Sequence, residues 1–192
     1  MEQLTKEIFL DMTEQCPVIP AIKNDQWLSA CNESESEIVY LIYGNICNIM
    51  EHIDTLKSMG KYVVVHVDLI EGLALKEISV DFIKKYTKAD GIISTKPGLI
   101  KRANELGMFT VQRFFMTDAL SYANIVKYVH NTNPDVVELL PAGLPKVIRY
   151  LLEEIQRPVV ASGLLLDKKD VITALGAGVH AVSTTNRELW DC

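Results

Sequence analysis

The chain has 192 residues, 48% of them hydrophobic and 23% charged, and its formal net charge is −6. These values fit one domain, residues 1–192, with its own core, and they exclude a disordered or membrane-spanning chain. The negative charge argues against a protein that coats nucleic acid electrostatically, although it leaves a local basic patch open. Charges interrupt the opening MEQLTKEIFLDM, and Leu4, Ile8 and Met12 recur on one helix face, so we expect an N-terminal helix and a cytoplasmic protein without a signal peptide.

The cysteines give no sign of a metal centre or a disulfide framework. Cys16, Cys31, Cys47 and Cys192 contain no C-x-x-C pair and match no zinc-ligand spacing. We interpret Cys31 and Cys47 as small helix residues and not as nucleophiles. We expect no cofactor, and no metal centre built on these cysteines.

Short β-rich runs alternate with helical patterns along the whole chain. Each run is rich in Val, Ile or aromatic residues and is bounded by Gly, Pro, Asp or Asn. The predicted strands are VIPAI from Val18, IVYLIY from Ile38, YVVVHVDL from Tyr62, GIIST from Gly91, FTVQRFF from Phe109, VVELLP from Val136, PVVAS from Pro158 and VHAVST from Val179.

Apolar stripes with helical spacing lie between these runs, and glycines are expected to end several helices in the left-handed conformation. The stripes are Ile46, Ile49, Met50, Ile53 and Leu56; Val80, Ile83 and Tyr86; Ile125, Val126 and Val129; and Val147, Leu151 and Ile155. The capping glycines are Gly60, Gly107 and Gly178.

Eight consecutive strand–helix units predict a parallel sheet that closes into a compact (β/α)8 barrel of the TIM type. The alternative is an open doubly wound sheet, but no G-x-G-x-x-G follows the first strand. Because the chain is short for a barrel, we expect minimal loops and a truncated last helix.

Polar residues fall at the end of nearly every predicted strand, where a barrel places its functional face. An ordinary explanation is that polar residues and helix caps belong at strand ends in any case. That explanation accounts less well for Lys, His, Asp, Arg and Glu on one rim. The candidates are Lys23, His66, Asp68, Ser94, Lys96, Arg113, Glu138, Ser162, Gly163, Ser183, Thr184 and Thr185.

The loops after strands 7 and 8 predict a phosphate site, because barrels often bind phosphate there. Gly163 lets backbone N–H groups approach an anion, and the hydroxyls of Ser162, Ser183, Thr184 and Thr185 add donors. The competing interpretation is that Ser183 to Asn186 only caps a last helix.

Three other polar residues leave alternatives open. His66 and Asp68 would share one face of a strand, and could hold a hydroxyl-bearing ligand or a divalent cation, or form a structural hydrogen-bonded pair. Glu138 lies within a strand and needs a partner, because burying a lone carboxylate is costly. Arg113, Lys96 or a ligand hydroxyl would supply it.

The basic residues Lys96, Lys101 and Arg102 cluster loosely, and a solvated helix face is the ordinary interpretation. No RNP1, KH, arginine-rich or zinc-knuckle signature is present. From the residues alone, the prediction is a small phosphorylated ligand bound in a barrel.

Several segments resemble the glycerol-3-phosphate-responsive antiterminators, the glycerol uptake operon regulators of Gram-positive bacteria. The similarity spans nearly the whole chain and rests on CPVIPAIKN, VHVDLIEGL from Val65, DGIISTKPGLIKRANELGMFTVQRFF from Asp90, PDVVELLPAGLPK from Pro134 and AVSTTNRELW from Ala181. The resemblance implies a non-enzymatic protein that senses glycerol 3-phosphate, binds the leader of a glycerol-catabolism messenger RNA and prevents transcription termination.

Carried over residue by residue, the resemblance implies ligand-site roles at ten positions: Lys23, His66, Asp68, Ser94, Lys96, Arg113, Glu138, Gly163, Ser183 and Thr184. Two departures affect the ligand loops. Ser162 stands where the family tends to have the first glycine of a pair, and the family's glycine after the strand-6 proline appears as Ala142-Gly143. We expect Gly143 and Gly163 to keep a flexible backbone beside the ligand.

For RNA, we choose Lys101 and Arg102 as the contact, because they lie about one turn beyond Lys96 on the following helix. The sequence leaves the oligomeric state open, a homo-oligomer included. A second function class also stays open: a barrel lyase, isomerase or synthase acting on a phosphorylated three-carbon substrate, with Asp68 or Glu138 as base.

Overall fold

A computed structural model describes residues 2–191 and contains a closed barrel of eight parallel strands. Each strand pairs with the next one in the chain, and the last pairs with the first, so the predicted TIM-type (β/α)8 barrel is confirmed and the open sheet is wrong. The strands, β1 to β8, span Val18–Ile22, Ile38–Leu41, Tyr62–His66, Gly91–Ser94, Phe109–Phe115, Val136–Leu140, Val159–Ser162 and Ala181–Thr184.

Helices follow the first seven strands, and one further helix precedes the barrel. The α-helices, α1 to α8, span Lys6–Gln15, Asp25–Ala30, Ile49–Ser58, Glu77–Tyr86, Pro97–Glu105, Ala119–Thr132, Pro145–Ile155 and Lys168–Leu175. After β8 the chain makes only a short 3-10 helix, Arg187–Leu189, which agrees with the expected truncation. Among the described residues, no helix has both the length and the apolar character needed to cross a membrane.

Local side-chain chemistry accounts for many of the helix ends. The side chain of Asn24 accepts a hydrogen bond from the N–H of Trp27 at the start of α2, and aspartates form capping boxes at the starts of α6 and α8. Proline occupies the first turn of α5 and α7, where its missing N–H costs nothing. Gly60, Gly107 and Gly178 have φ of +77°, +63° and +100°, which confirms that they follow helices in left-handed conformations.

The barrel interior changes from apolar to polar along its axis. At the N-terminal ends of the strands, α1 closes the barrel with the fully buried Phe9, whose ring stacks on Phe109 at 5.4 Å. In the layers above, Tyr40 and Glu138 are fully buried, and His66 is 2% exposed. Polar side chains concentrate towards the C-terminal ends of the strands, which is the end where a barrel normally places its functional face.

Several predicted boundaries were wrong by a few residues. The run from Tyr62 leaves the sheet after His66 and continues as a 3-10 turn, Val67–Leu69, so Asp68 does not share a strand face with His66. The strand from Ile38 ends at Leu41.

The predicted helical positions of one apolar residue and of two cysteines were also wrong in part. Ile46 and Cys47 lie in the turn before α3 and not in the helix. Cys31, by contrast, is buried in a 3-10 helix. Cys192 lies outside the described residues.

Candidate functional site

A cleft of about 590 Å³ opens at the C-terminal ends of β7, β8 and β1. It is lined by six of the residues that the sequence predicts as ligand partners. These are Lys23, Ser162, Gly163, Ser183, Thr184 and Thr185. The loops after strands 7 and 8 therefore do meet in one concave site, and Lys23 joins them because β1 is the neighbour of β8.

Two serines from adjacent strands lie side by side in this cleft. Ser162 and Ser183 are register partners on β7 and β8, and they are 4% and 3% exposed. The Ser162 hydroxyl is buried and has no hydrogen-bond partner among the described residues. A buried hydroxyl without a partner is costly, so a polar ligand atom in the cleft would remove that cost.

The loop after β7 has a strained backbone beside the serines. Gly163 has φ +73°, and a Cβ placed there would lie 3.3 Å from Cδ2 of Leu140. Leu164 has φ +57°, which a bulky residue rarely adopts, and its side chain is 72% exposed. Such strain persists only where the surroundings impose it, and it is concentrated at binding sites.

Two cationic side chains border the cleft. Lys23 places Nζ 5.6 Å from the ring centroid of Trp27, which also lines the cleft. Arg187 donates through Nη2 to Glu33, while its Nε is buried and has no partner among the described residues. The sequence analysis missed Arg187, although its position directly after the run Ser183 to Asn186 was a usable signal.

Part of the loop after β8 does serve to cap the short helix that follows. Thr184 Oγ1 accepts a hydrogen bond from the N–H of Asn186 at 3.0 Å, and the Asn186 side chain accepts from the N–H of Glu188 at 3.2 Å. The capping interpretation therefore holds for Asn186. Ser183 and Thr185 line the cleft, and the capping hydrogen bonds come from Thr184 and Asn186.

Below the cleft, Arg113 and Glu138 form an ion pair inside the barrel. Nε and Nη2 of Arg113 donate to the two carboxylate oxygens of Glu138 at 2.6 and 3.1 Å, and Glu138 is fully buried. The expectation that Arg113 partners Glu138 is confirmed, whereas Lys96 lies elsewhere. The charges affect their neighbours: burial, and secondarily Glu138, raises the pKa of Tyr40 well above its usual value.

His66 shares this interior. Burial lowers its pKa to about 4, and the nearby Arg113 guanidinium adds to the effect. The imidazole is therefore neutral at pH 7. Its Nδ1 is buried without a partner among the described residues, which makes it a second atom that a ligand hydroxyl could satisfy.

Asp68 is held in a hydrogen-bonded turn. Its carboxylate accepts from Ser94 Oγ at 2.5 Å, and from the N–H and the hydroxyl of Thr95 at 2.8 and 2.7 Å. This geometry corresponds to the structural pairing that the sequence left open, with Ser94 and Thr95 in place of His66. Between residues 2 and 191 there is no group of three or more His, Cys, Asp or Glu side chains placed to hold a metal.

The remaining predicted residues do not line this cleft. Lys96 precedes α5 and lines a separate cleft with Lys76. Gly143 is exposed in the β6–α7 turn, where a Cβ would meet nothing within 4 Å. Lys101 is exposed on α5, and Arg102 gives its donors to Asp81 and Glu105.

Comparison with known proteins agrees with this architecture. A solved structure of the glycerol uptake operon antiterminator regulatory protein from Listeria monocytogenes superposes with a TM-score of 0.87 at 29% identity, over 90% of this chain and 94% of that one. An antiterminator-related protein from Thermotoga maritima gives 0.81 at 34% identity, over 91% and 98%. An uncharacterised protein of Escherichia coli (strain K12), YgcP, is 43% identical over 94% of this chain and 95% of its own length.

The sequence profile described as glycerol-3-phosphate responsive antiterminator matches residues 18–190, which is the entire barrel from β1 to the 3-10 helix after β8. Two relatives exceed 30% identity over more than nine tenths of the chain. This protein therefore belongs to the glycerol-3-phosphate responsive antiterminator family.

Proposed function

We propose that this protein senses glycerol 3-phosphate in the cleft between the loops after β7 and β8, and that the ligand controls its binding to a leader messenger RNA. The observation that carries the proposal is the convergence of three features in one cleft of about 590 Å³. These are the unpartnered Ser162 hydroxyl, the strained Gly163–Leu164 backbone and the cations Lys23 and Arg187.

The cleft offers complementary groups to both ends of the ligand. The phosphate is attracted by Lys23 and Arg187 and would accept hydrogen bonds from Ser183 and Thr185. The glycerol hydroxyls would partner Ser162, which lies one layer above Glu138 in the barrel register. The Arg113–Glu138 pair and His66 lie in the barrel interior and do not line the cleft. The predicted contacts at Asp68, Ser94, Lys96 and Gly143 also lie outside the cleft lining.

The regulatory function is favoured over the barrel enzyme because neither candidate base, Asp68 or Glu138, is among the residues that line the cleft. Both oxygens of Glu138 accept from Arg113, and the Asp68 carboxylate accepts from Ser94 and Thr95. A general base must lie within hydrogen-bond reach of the proton that it removes. Glycerol 3-phosphate also lacks an acidified C–H, so it offers such a base no substrate proton.

Binding to a messenger RNA would place the protein in the cytoplasm and gives the sensor its output. A formal net charge of −6 leaves only a local surface for that contact. Lys101 and Arg102 remain a predicted contact, although Arg102 already donates to two carboxylates. Whether the protein acts as a monomer or a homo-oligomer is decided by its molar mass in solution.

Two measurements on the purified protein test the proposal. Millimolar glycerol 3-phosphate should raise the melting temperature, because a ligand at ~100 times its Kd adds about 2.7 kcal/mol to the free energy of unfolding. Glycerol, which lacks the anion, should have much less effect. After prolonged incubation the ligand should be recovered intact by phosphorus NMR; its consumption would favour the enzyme, and an unchanged melting temperature would rule out the sensor.

A further inference from the structure

A second concave site lies between α6 and α7 at the C-terminal end of the barrel. It is an apolar slot of about 350 Å³, distinct from the phosphate cleft. Its walls come from the start of α6, the turn before α7 and the first two turns of α7. They include Met116, Asp118, Tyr122, Leu144, Val147 and Tyr150.

One wall of the slot combines an exposed aromatic ring with positive charge. Tyr150 is 53% exposed, and Lys146 holds Nζ 6.0 Å from the centroid of its ring. Lys146, Arg149 and Tyr150 are spaced three and four residues apart, so they share one face of α7. The slot thus has an apolar interior with Lys146 beside its aromatic wall, and the hydroxyl of the lining Tyr122 donates to the carboxylate of Glu154.

The slot is connected to the phosphate cleft by a five-residue path. Leu140 lines the cleft, and Leu144 lines the slot. Between them, the N–H of Ala142 donates to the carbonyl oxygens of Ser162 and Gly163 at 2.8 and 3.2 Å. The loop after β7, which carries the Ser162 hydroxyl, therefore holds the backbone segment that shapes the slot.

We infer that this slot binds an unpaired base of the RNA, with the base stacked against Tyr150 and the neighbouring phosphates beside Lys146 and Arg149; the inference rests on the proposed function. Proteins recognise single-stranded RNA by stacking splayed bases on aromatic rings while cations follow the backbone. The Asp118 carboxylate at the slot disfavours a phosphate inside it and suits a base that presents an exocyclic amino group, which donates to carboxylates.

The coupling follows from the same path. Ligand bound at Ser162 and Gly163 fixes the carbonyls that accept from Ala142, and so fixes the turn that carries Leu144. An ordered slot wall stacks a base better than a mobile one, because less conformational entropy is lost on binding. Ligand and RNA then strengthen each other's binding by the same factor.

The test uses a pool of RNA hairpins with randomised loops, enriched on the full-length protein in the presence of glycerol 3-phosphate. The slot variant, which removes the cation and the ring from the slot wall, is Lys146→Ala with Tyr150→Ala. The matched control is Lys85→Ala with Tyr86→Ala on α4, where Lys85 Nζ lies 5.0 Å from the ring of a tyrosine that is 54% exposed. The control removes the same charge and the same kind of ring on a helix that does not line this slot.

We expect the slot variant to weaken binding of the enriched RNA by roughly ten- to a hundred-fold, while the control and Tyr150→Phe bind like the parent. The shift in melting temperature with glycerol 3-phosphate should be unchanged in all of them. Hairpins carrying 4-thiouridine in the loop should photocrosslink to peptides that contain Tyr150 or Tyr122.

Three outcomes would overturn the inference, and one of them also ends the proposed function. If the slot variant binds RNA with parental affinity, and the Lys101→Ala and Arg102→Ala variants lose affinity, the RNA contact lies on α5. If light scattering gives the slot variant a lower molar mass than the parent, and the variant keeps its RNA affinity, the slot binds a second copy of the chain. If the parent enriches no hairpin, RNA binding itself is wrong, whatever the ligand does to the melting temperature.

Discussion

Arg113 and Glu138 face each other across the β5–β6 register, and their side chains form a two-point ion pair in the barrel interior. Glu138 is fully buried and the Arg113 side chain is 12% exposed. A charged pair in this position is compensated only while both members are present, because either charge alone would lie in a poorly solvated interior. Glu138 also lies one layer below Ser162 in the barrel register.

Removing one member should therefore be far more damaging than removing both. Glu138→Ala should lower the free energy of unfolding by about 3–5 kcal/mol, because it leaves the Arg113 guanidinium buried without its partner. The double variant Arg113→Met with Glu138→Met should lose considerably less. Urea unfolding of both variants measures this difference; equal losses would mean that packing and not charge dominates at this site.

Ser162 separates ligand binding from stability. Its hydroxyl is buried without a partner among the described residues, so Ser162→Ala should leave the stability of the free protein unchanged or slightly higher. Affinity for glycerol 3-phosphate should fall by about 1 kcal/mol, the typical worth of a hydrogen bond. Calorimetric titration measures the affinity, and parental affinity in this variant would remove Ser162 from the ligand site.

Gly163 tests the ligand loop, and Gly60 provides its matched control. Both have positive φ, +73° and +77°, but only at Gly163 would a Cβ meet a neighbour within 4 Å, Cδ2 of Leu140. Gly60→Ala should cost about 1 kcal/mol from the left-handed backbone alone. Gly163→Ala should cost more, and should also weaken the binding of glycerol 3-phosphate.

Thermal unfolding with and without ligand compares the two glycine variants. If Gly163→Ala responds to glycerol 3-phosphate as Gly60→Ala does, the loop after β7 does not hold the ligand. A larger loss of stability without any loss of ligand response would assign Gly163 to packing against Leu140 only.

The sequence was most informative where a local rule determines the structure. The eight β-rich runs, such as the one from Val18, alternate with helical stripes, and right-handed crossovers leave few topologies for that pattern. The cleft at the ends of β7, β8 and β1 was predictable because the chain order of the strands brings the loops after β7 and β8 beside Lys23, whereas its ligand stays a prediction.

The errors arose where tertiary contacts decide. Asp68 was placed on a strand because the run YVVVHVDL continues without a break. In the structure the backbone leaves the sheet before Asp68, and its carboxylate accepts three hydrogen bonds from Ser94 and Thr95. Tyr150 and Lys146 look like an ordinary solvated face in the sequence. Their slot exists only because α6 and α7 are neighbours in the barrel.

His66 makes the stability of the protein sensitive to mild acid. The folded protein holds the pKa of His66 at about 4, below the ordinary value of 6.5, so the unfolded chain takes up the proton first as the pH falls. Stability from this group is complete above pH 6.5 and is lost as the pH falls towards 4, by an amount on the order of 1–3 kcal/mol. The direction follows from burial, which disfavours the imidazolium, and from the nearby Arg113 charge.

His66→Gln, which keeps polar atoms but cannot titrate, should flatten the decline in stability between pH 6.5 and 5, where few carboxylates contribute. His130→Gln is the control, because it removes an imidazole that is exposed on the surface of α6. Urea unfolding at pH 7, 6 and 5 compares the three proteins, and parallel declines in the parent and in His66→Gln would show that this imidazole does not govern the acid sensitivity.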